Sequence, residues 1–216
     1  MGMKRILRLF IYSRLTDLHG DIPYSEAGQG YTNGILKPKY DAQQDIYMDM
    51  LKELEAAVAQ LGSSTTMGAG DIMFQGDMAK WKAWGNSMML RLAMRLTKAD
   101  SATAKAWAEK AVAAGTMTSN DHIAMVQHTD GPGGINKNGH GEVFDADGNP
   151  RMSKTFVDWL KDDPRLPILA ARRSDKSTAI ADLIGMQNGS TGATVSDTSI
   201  YAEPNRNVIT GRDAPM

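Results

Sequence analysis

Chemistry in this chain would have to come from a short set of residues. The four histidines are His19, His122, His128 and His140. No two stand at the spacing with which one helix presents a pair of zinc ligands, and no carboxylate stands at a ligand's offset from them. His122 and His128 flank a short apolar run and read as solvated loop residues, so no metal site is expected. Asp145-Ala-Asp147-Gly148-Asn149 places oxygen ligands at alternate positions, as a calcium loop does. That loop then needs Gly at its sixth position and Glu at its twelfth, where this chain has Pro150 and Phe156. A plain turn is expected there. Asp162 and Asp163 are adjacent and precede a proline, whereas glycosidase carboxylates face each other across a sugar. Gly131 to Gly134 lacks the Lys-Ser/Thr of a phosphate loop, and no nucleophile elbow occurs. No catalytic residue and no cofactor are therefore assigned, and the chain is not read as an enzyme.

Binding chemistry has better candidates. Trp81, Trp84 and Trp107 have rings suited to stacking on sugars or bases, but they recur at helix-core spacing beside Met88 and Leu92 and are assigned to the core. Trp159, on one side with Phe156 and Leu160, is assigned to the core for the same reason. Tyr31, in a glycine-rich loop, and Tyr201, in a polar tail, have no apolar partners at periodic spacing and are the ligand-contact candidates. Arg91 and Arg95 can bind anions, but on a helix between packed neighbours they are expected to pair with Asp or Glu.

Composition narrows the function classes. The 216 residues carry 24 Lys+Arg against 25 Asp+Glu, a net charge of -1, which argues against a nucleic-acid binder working by bulk phosphate attraction. Cysteine is absent, so this chain holds no disulfide, thiolate metal site or Cys nucleophile. Hydrophobic residues at 42% and charged residues at 23% fit a globular chain with a core. No apolar run is long enough to span a bilayer. Lys4 and Arg5 before apolar residues mimic a signal peptide, but Arg8 and Arg14 break the stretch.

The elements that would position these residues are helical in the first half. Ile6, Leu7, Phe10, Ile11, Leu15 and Leu18 form an amphipathic stripe ended by His19-Gly20-Asp21-Ile22-Pro23. A helix is predicted over Asp41–Leu61, opened by a capping box from Asp41 to Gln44. Another is predicted over Asp77–Leu96, capped by Asp77, and a third over Ala102–Ala114, capped by Asp100 or Ser101 and stopped by Gly115. Ala104, Ala108 and Ala111 suit close helix contact. The helix starts at Asp41 and Asp77 lie 36 residues apart, near the tetratricopeptide period of about 34. From Thr118 the pattern turns loop-rich, with one short helix capped by Ser153 and ended by Asp163-Pro164-Arg165-Leu166-Pro167. The expected class is mainly α, with tetratricopeptide-like helical hairpins and long irregular loops. Residues 1–116 form the helical scaffold, and residues 117–216 form the part that faces ligand or partner.

Four ordered segments carry a resemblance. They are Leu15-Thr-Asp-Leu-His-Gly-Asp-Ile-Pro-Tyr-Ser-Glu-Ala27; Pro38-Lys-Tyr-Asp41 with Gln44 and Ile46-Tyr47; Gly70-Asp-Ile-Met-Phe74 through Gly76-Asp77, Lys80-Trp81-Lys82 and Asn86-Ser87 to Leu96; and Asp163-Pro-Arg-Leu-Pro167 with Gly185 and Asn188-Gly189. In this order they resemble the SusD/RagB-like family of nutrient-binding outer-membrane lipoproteins, over nearly all of the chain. The resemblance implies a non-catalytic protein that captures oligosaccharide or another nutrient at the bacterial outer surface. It implies delivery to a SusC-like TonB-dependent transporter and anchoring by a lipidated N-terminal Cys that this chain does not contain. It also implies an internal fragment of a longer protein. The matching motifs are scaffold motifs, so no ligand residue is carried over. The alternatives are a helical-repeat scaffold for protein partners and a carbohydrate-active hydrolase with an unrecognised carboxylate pair.

Overall fold

The computed structural model describes residues 1–63, 68–126, 128, 139, 143, 150–190 and 195–206. The predicted turn Asp145–Asn149, the glycine run 131–134 and His140 lie outside the described residues. The chain divides into two compact units, Met1–Ala124 and Met125–Met216.

The first unit is built from helices α1 (Gly2–His19), α3 (Gln43–Ala59), α4 (Met78–Arg95) and α5 (Ser101–Ala113), with the single turn α2 (Gly30–Asn33) in the loop between α1 and α3. Neighbours in this series pack in sequence: α1 on α3, α3 on α4, α4 on α5. The fold is mainly α. The caps of α4 and α5 form as their residue types predict. Asp77 accepts the amides of Ala79 and Lys80, and Asp100 accepts that of Thr103. Gly115, just past α5, takes φ 92°, a left-handed value that a Cβ would strain.

The core gathers Ile6 and Leu9 of α1, Met50, Leu51 and Leu54 of α3, and Trp81, Trp84, Met88, Met89 and Leu92 of α4. Trp81, Trp84 and Phe74 meet in edge-on contacts with centroids 5.3–6.2 Å apart, and both indoles are buried, so the core assignment of Trp81 and Trp84 holds. Trp107 is half-buried against the same core. Ala104 and Ala111 are buried and allow α5 its close approach. Where α1, α3 and α4 meet, a Cβ on Gly85 would stand 2.5 Å from Val58 Cγ2, so only glycine fits without displacement. Met117 and Ala124 also pack on this core, and the Met117 amide donates to Ser87 Oγ at 2.8 Å, so the helical unit runs past residue 116.

Two local expectations are corrected. The first concerns α1, which buries Gly2, Ile6, Leu9, Ser13 and Thr16 rather than the most apolar stripe. Leu7, Phe10, Ile11, Leu15 and Leu18 are exposed. Small and polar residues can occupy the inner face because Ser13 and Thr16 donate their hydroxyls to the carbonyls of Phe10 and Gly20, each at 2.7 Å, which removes the cost of burying them. The second concerns α3, which starts at Gln43 without the predicted capping box. Asp41 instead accepts the amides of Tyr24 and Ser25 at 3.2 and 2.6 Å and the Ser25 hydroxyl at 2.9 Å. The Gln43 amide donates to Asp21 Oδ1 at 2.9 Å. Longer-range partners outcompete the local box, and the loop 20–42 is tied to the start of α3 as a result.

The second unit contains α6 (Lys154–Trp159), the turn α7 (Leu166–Leu169) and an antiparallel pair, β1 (Ala170–Arg172) with β2 (Ala202–Pro204). Ser153 caps α6 through the Phe156 amide, as expected. Val157, Leu166, Ala170, Leu183 and Ala202 form its small core. Gly185 packs against the start of α6, where a Cβ would fall 2.4 Å from Lys154 Cα and 2.6 Å from the Ser153 carbonyl oxygen. Glu203 on β2 is buried and is met by Lys176 at 2.5 Å and Arg173 at 3.2 Å.

One further expectation fails here. Trp159 is not core; it is 83% exposed. In a helix, successive residues turn by about 100°, so Trp159 lies about 200° from Val157. Val157 is fully buried, and seating it inward turns the indole out.

Candidate functional site

In the second unit, α6 and the turn after it carry the most suggestive groups. Lys154, Asp158, Lys161 and Asp162 form one wall of a cleft of ≈ 440 Å³, and Ile180 and Ile184 stand on another. Lys154 and Lys161 both pair with Asp158, the latter at 3.1 Å, and these bonds hold the Asp158 carboxyl below its ordinary range. Trp159 follows Asp158 directly and precedes Asp162 by three residues. Sequence reasoning missed this indole because α6 is only six residues long, too short for a 3.6-residue period to tell its two faces apart. The neighbouring Asp163 is bound by Arg165 through three side-chain contacts and an amide. Its carboxyl is drawn down to about 2, and it serves the turn after α6.

Tyr201 lies in the same unit, half-buried just ahead of β2, and its carbonyl accepts the Arg173 amide at 3.2 Å. Tyr31 lies in the first unit on α2, its ring fully exposed. The turn below it is fixed by two bonds of 2.7 Å, from Gln29 Nε2 to the Ser25 carbonyl and from Asn33 Nδ2 to Gln29 Oε1. The two tyrosines therefore belong to different units.

A second cleft, of ≈ 450 Å³, lies in the first unit between α1, α3 and α4. Tyr47 donates its hydroxyl to Asp17 at 2.5 Å, and Arg95 donates Nε to the same hydroxyl at 2.9 Å while its guanidinium reaches Asp17 at 3.1 Å. Burial, reinforced by the Asp17 bond, pushes the Tyr47 hydroxyl pKa up. Arg95 thus pairs with a carboxylate, as expected, and the triad ties three helices together. Tyr24 is similar: burial and its 2.7 Å bond to Asp49 keep it protonated, under the Arg8 guanidinium. Among the described residues, no group of three or more His, Asp or Glu can hold a metal ion. His19 is exposed, and His122 and His128 are half-buried.

Comparison with known proteins decides the family. A family model, SusD-like_2, described as starch-binding and associating with the outer membrane, matches residues 1–216. The chain belongs to the SusD-like family. A solved chitin-binding protein shares 30% identity at a TM-score of 0.81, covering 100% of this chain and 47% of that one. A chitin-binding SusD homologue from Flavobacterium johnsoniae shares 28% identity at a TM-score of 0.78, covering 97% and 43%. A SusD homologue from Bacteroides thetaiotaomicron shares 27% at a TM-score of 0.75, covering 98% and 42%. The present SusD-like chain thus spans about half the length of these relatives. No curated protein sequence matches it. None of its helices is long and apolar enough to cross a membrane among the described residues.

Proposed function

We propose that the protein captures an oligosaccharide at the bacterial outer surface and passes it, uncleaved, to a SusC-like TonB-dependent transporter. In this reading the full-length protein is held at the outer membrane by an N-terminal lipid. Family membership over residues 1–216 carries the reading, and the two relatives described as chitin-binding make an N-acetylglucosamine oligomer the first ligand to try. The surface chemistry agrees. Tyr31 presents a whole ring to solvent and Tyr201 part of one, and aromatic rings with a few polar neighbours are what sugar recognition requires. A near-zero net charge suits capture of neutral glycans, which no long-range field would steer. Contact with ligand or partner is assigned chiefly to the loop-rich part of the chain that follows the helical unit, from Met125 onward.

Calorimetric titration with N-acetylglucosamine and glucose oligomers, followed by chromatography of the recovered sugar, tests this. Saturable binding with intact sugar is expected. Cleaved products would instead support a hydrolase.

A further inference from the structure

We propose that Asn188 is a site of spontaneous covalent modification, where the folded chain converts an asparagine amide into an aspartyl or isoaspartyl carboxylate. The substrate is the protein itself and the co-reactant is water, so the reaction does not depend on glycan capture.

The chemistry belongs to the Asn-Gly dipeptide. The glycine backbone nitrogen gives up its proton to base and attacks Cγ of the asparagine side chain. A new C–N bond forms, the bond from Cγ to Nδ2 breaks, and ammonia leaves. The product is a cyclic imide, which water opens at either of its carbonyls. Opening at one carbonyl restores the ordinary main chain with aspartate in place of asparagine. Opening at the other routes the main chain through the side chain as isoaspartate. Glycine favours the attack because no Cβ crowds its nitrogen.

The dipeptide occurs at Asn33-Gly34, Asn138-Gly139 and Asn188-Gly189. Asn138 lies outside the described residues. The first and last pairs are alike in exposure and sterics. Their residues are all exposed, Gly34 and Gly189 take φ of 68° and 79°, and a Cβ on either glycine would meet nothing within 4 Å. Hydrogen bonding separates them. Asn33 is a helical residue of α2, the Gly34 amide donates to the Gly30 carbonyl at 3.1 Å, and Asn33 Nδ2 donates to Gln29 Oε1 at 2.7 Å. Nucleophile and leaving group are both engaged, so the ring closes there only after the turn opens.

At Asn188-Gly189, neither the asparagine side chain nor the glycine amide has a hydrogen-bond partner among the described residues. The turn closes around them instead, through the Ser190 amide and hydroxyl on the Gln187 carbonyl at 3.2 and 2.7 Å. Just upstream, Met186 is anchored by its amide to the Met152 carbonyl and by its carbonyl to the Lys154 amide, at 2.8 and 2.7 Å. Asn188 and Gly189 thus form the tip of a turn that projects from a fixed segment, with both reacting groups free. Conversion adds a negative charge to a chain whose net charge is -1.

Incubation of the unmodified protein in mildly alkaline buffer, with each asparagine followed by mass spectrometry of protease digests, tests this. In the folded protein Asn188 should convert roughly ten-fold or more faster than Asn33, because hydrogen bonds protect only the latter. In urea the two should convert at similar rates. Asn188→Gln, whose longer side chain closes a less favourable ring, should keep its amide over the same period. An Asn188 that stays an amide in the folded protein, or that converts no faster than Asn33, would overturn the proposal. The same excess of Asn188 over Asn33 in urea would overturn it too, because the fold would then not be the cause.

Discussion

At the scale of single residues, buried carboxylates organise the loops of this protein. Asp71 accepts the amides of Met73, Phe74 and Gly76 and the Trp81 indole N–H, the last at 2.6 Å. Burial works against its charge, but these donors outweigh burial and hold its pKa below the ordinary value. Asp71→Ala would leave the indole N–H and the turn amides without their acceptor inside the protein. Loss of about 2–3 kcal/mol is expected, read as a lower thermal midpoint with Trp81 emission shifted to the red. Glu203 gives a pH dependence. Burial alone would raise its pKa, but Lys176 and Arg173 prevail and bring it below its ordinary 4.5. A carboxyl whose pKa is lower folded than unfolded contributes stability above the unfolded value and loses it as pH falls through the folded one. Acid titration should therefore weaken the second unit below about pH 4.5, and Glu203→Gln should flatten that dependence.

Elements were legible in the sequence where a local signal had no long-range rival. Asp77, Asp100 and Ser153 cap their helices as their residue types dictate. The capping box at Asp41 did not form, because Ser25 and Tyr24 of a distant turn took its carboxylate. For α1 the apolar stripe was plain, but which face packs is decided by α3 and α4. A pattern of apolar residues cannot reveal that Ser13 and Thr16 satisfy themselves on the inner face. Leu9 is 1% exposed and Ile11 50%. Leu9→Ala should cost on the order of 2–4 kcal/mol in chemical denaturation, and Ile11→Ala under about 1 kcal/mol. The apolar stripe of α1 includes Ile11 and not Leu9, so a stripe-based reading expects the reverse order. In the second unit, Gly185→Ala drives a methyl into backbone rather than into a flexible side chain, so α6 must move. Reduced protease resistance of residues 150–190 is the expected result.

For the whole molecule, the class and family were legible because ordered scaffold motifs run the length of the chain, and SusD-like_2 matches residues 1–216. The proposed ligand contacts were less so. Tyr31 and Tyr201 stand out by lacking periodic partners, whereas Trp159 sat inside an apolar-looking triplet and its exposure emerged only once Val157 was seen to take the inward face. Sugar recognition uses exposed rings at positions that no spacing rule marks, so scaffold and site differ in how plainly residues announce them. The reading of this protein's function turns on capture of a neutral glycan without bond cleavage. Its most direct test is calorimetric titration of the protein with N-acetylglucosamine oligomers, with the sugar recovered and sized after prolonged incubation. Saturable binding and sugar of unchanged length are expected. Shortened sugar, or no heat of binding with any neutral oligosaccharide tried, would contradict that reading.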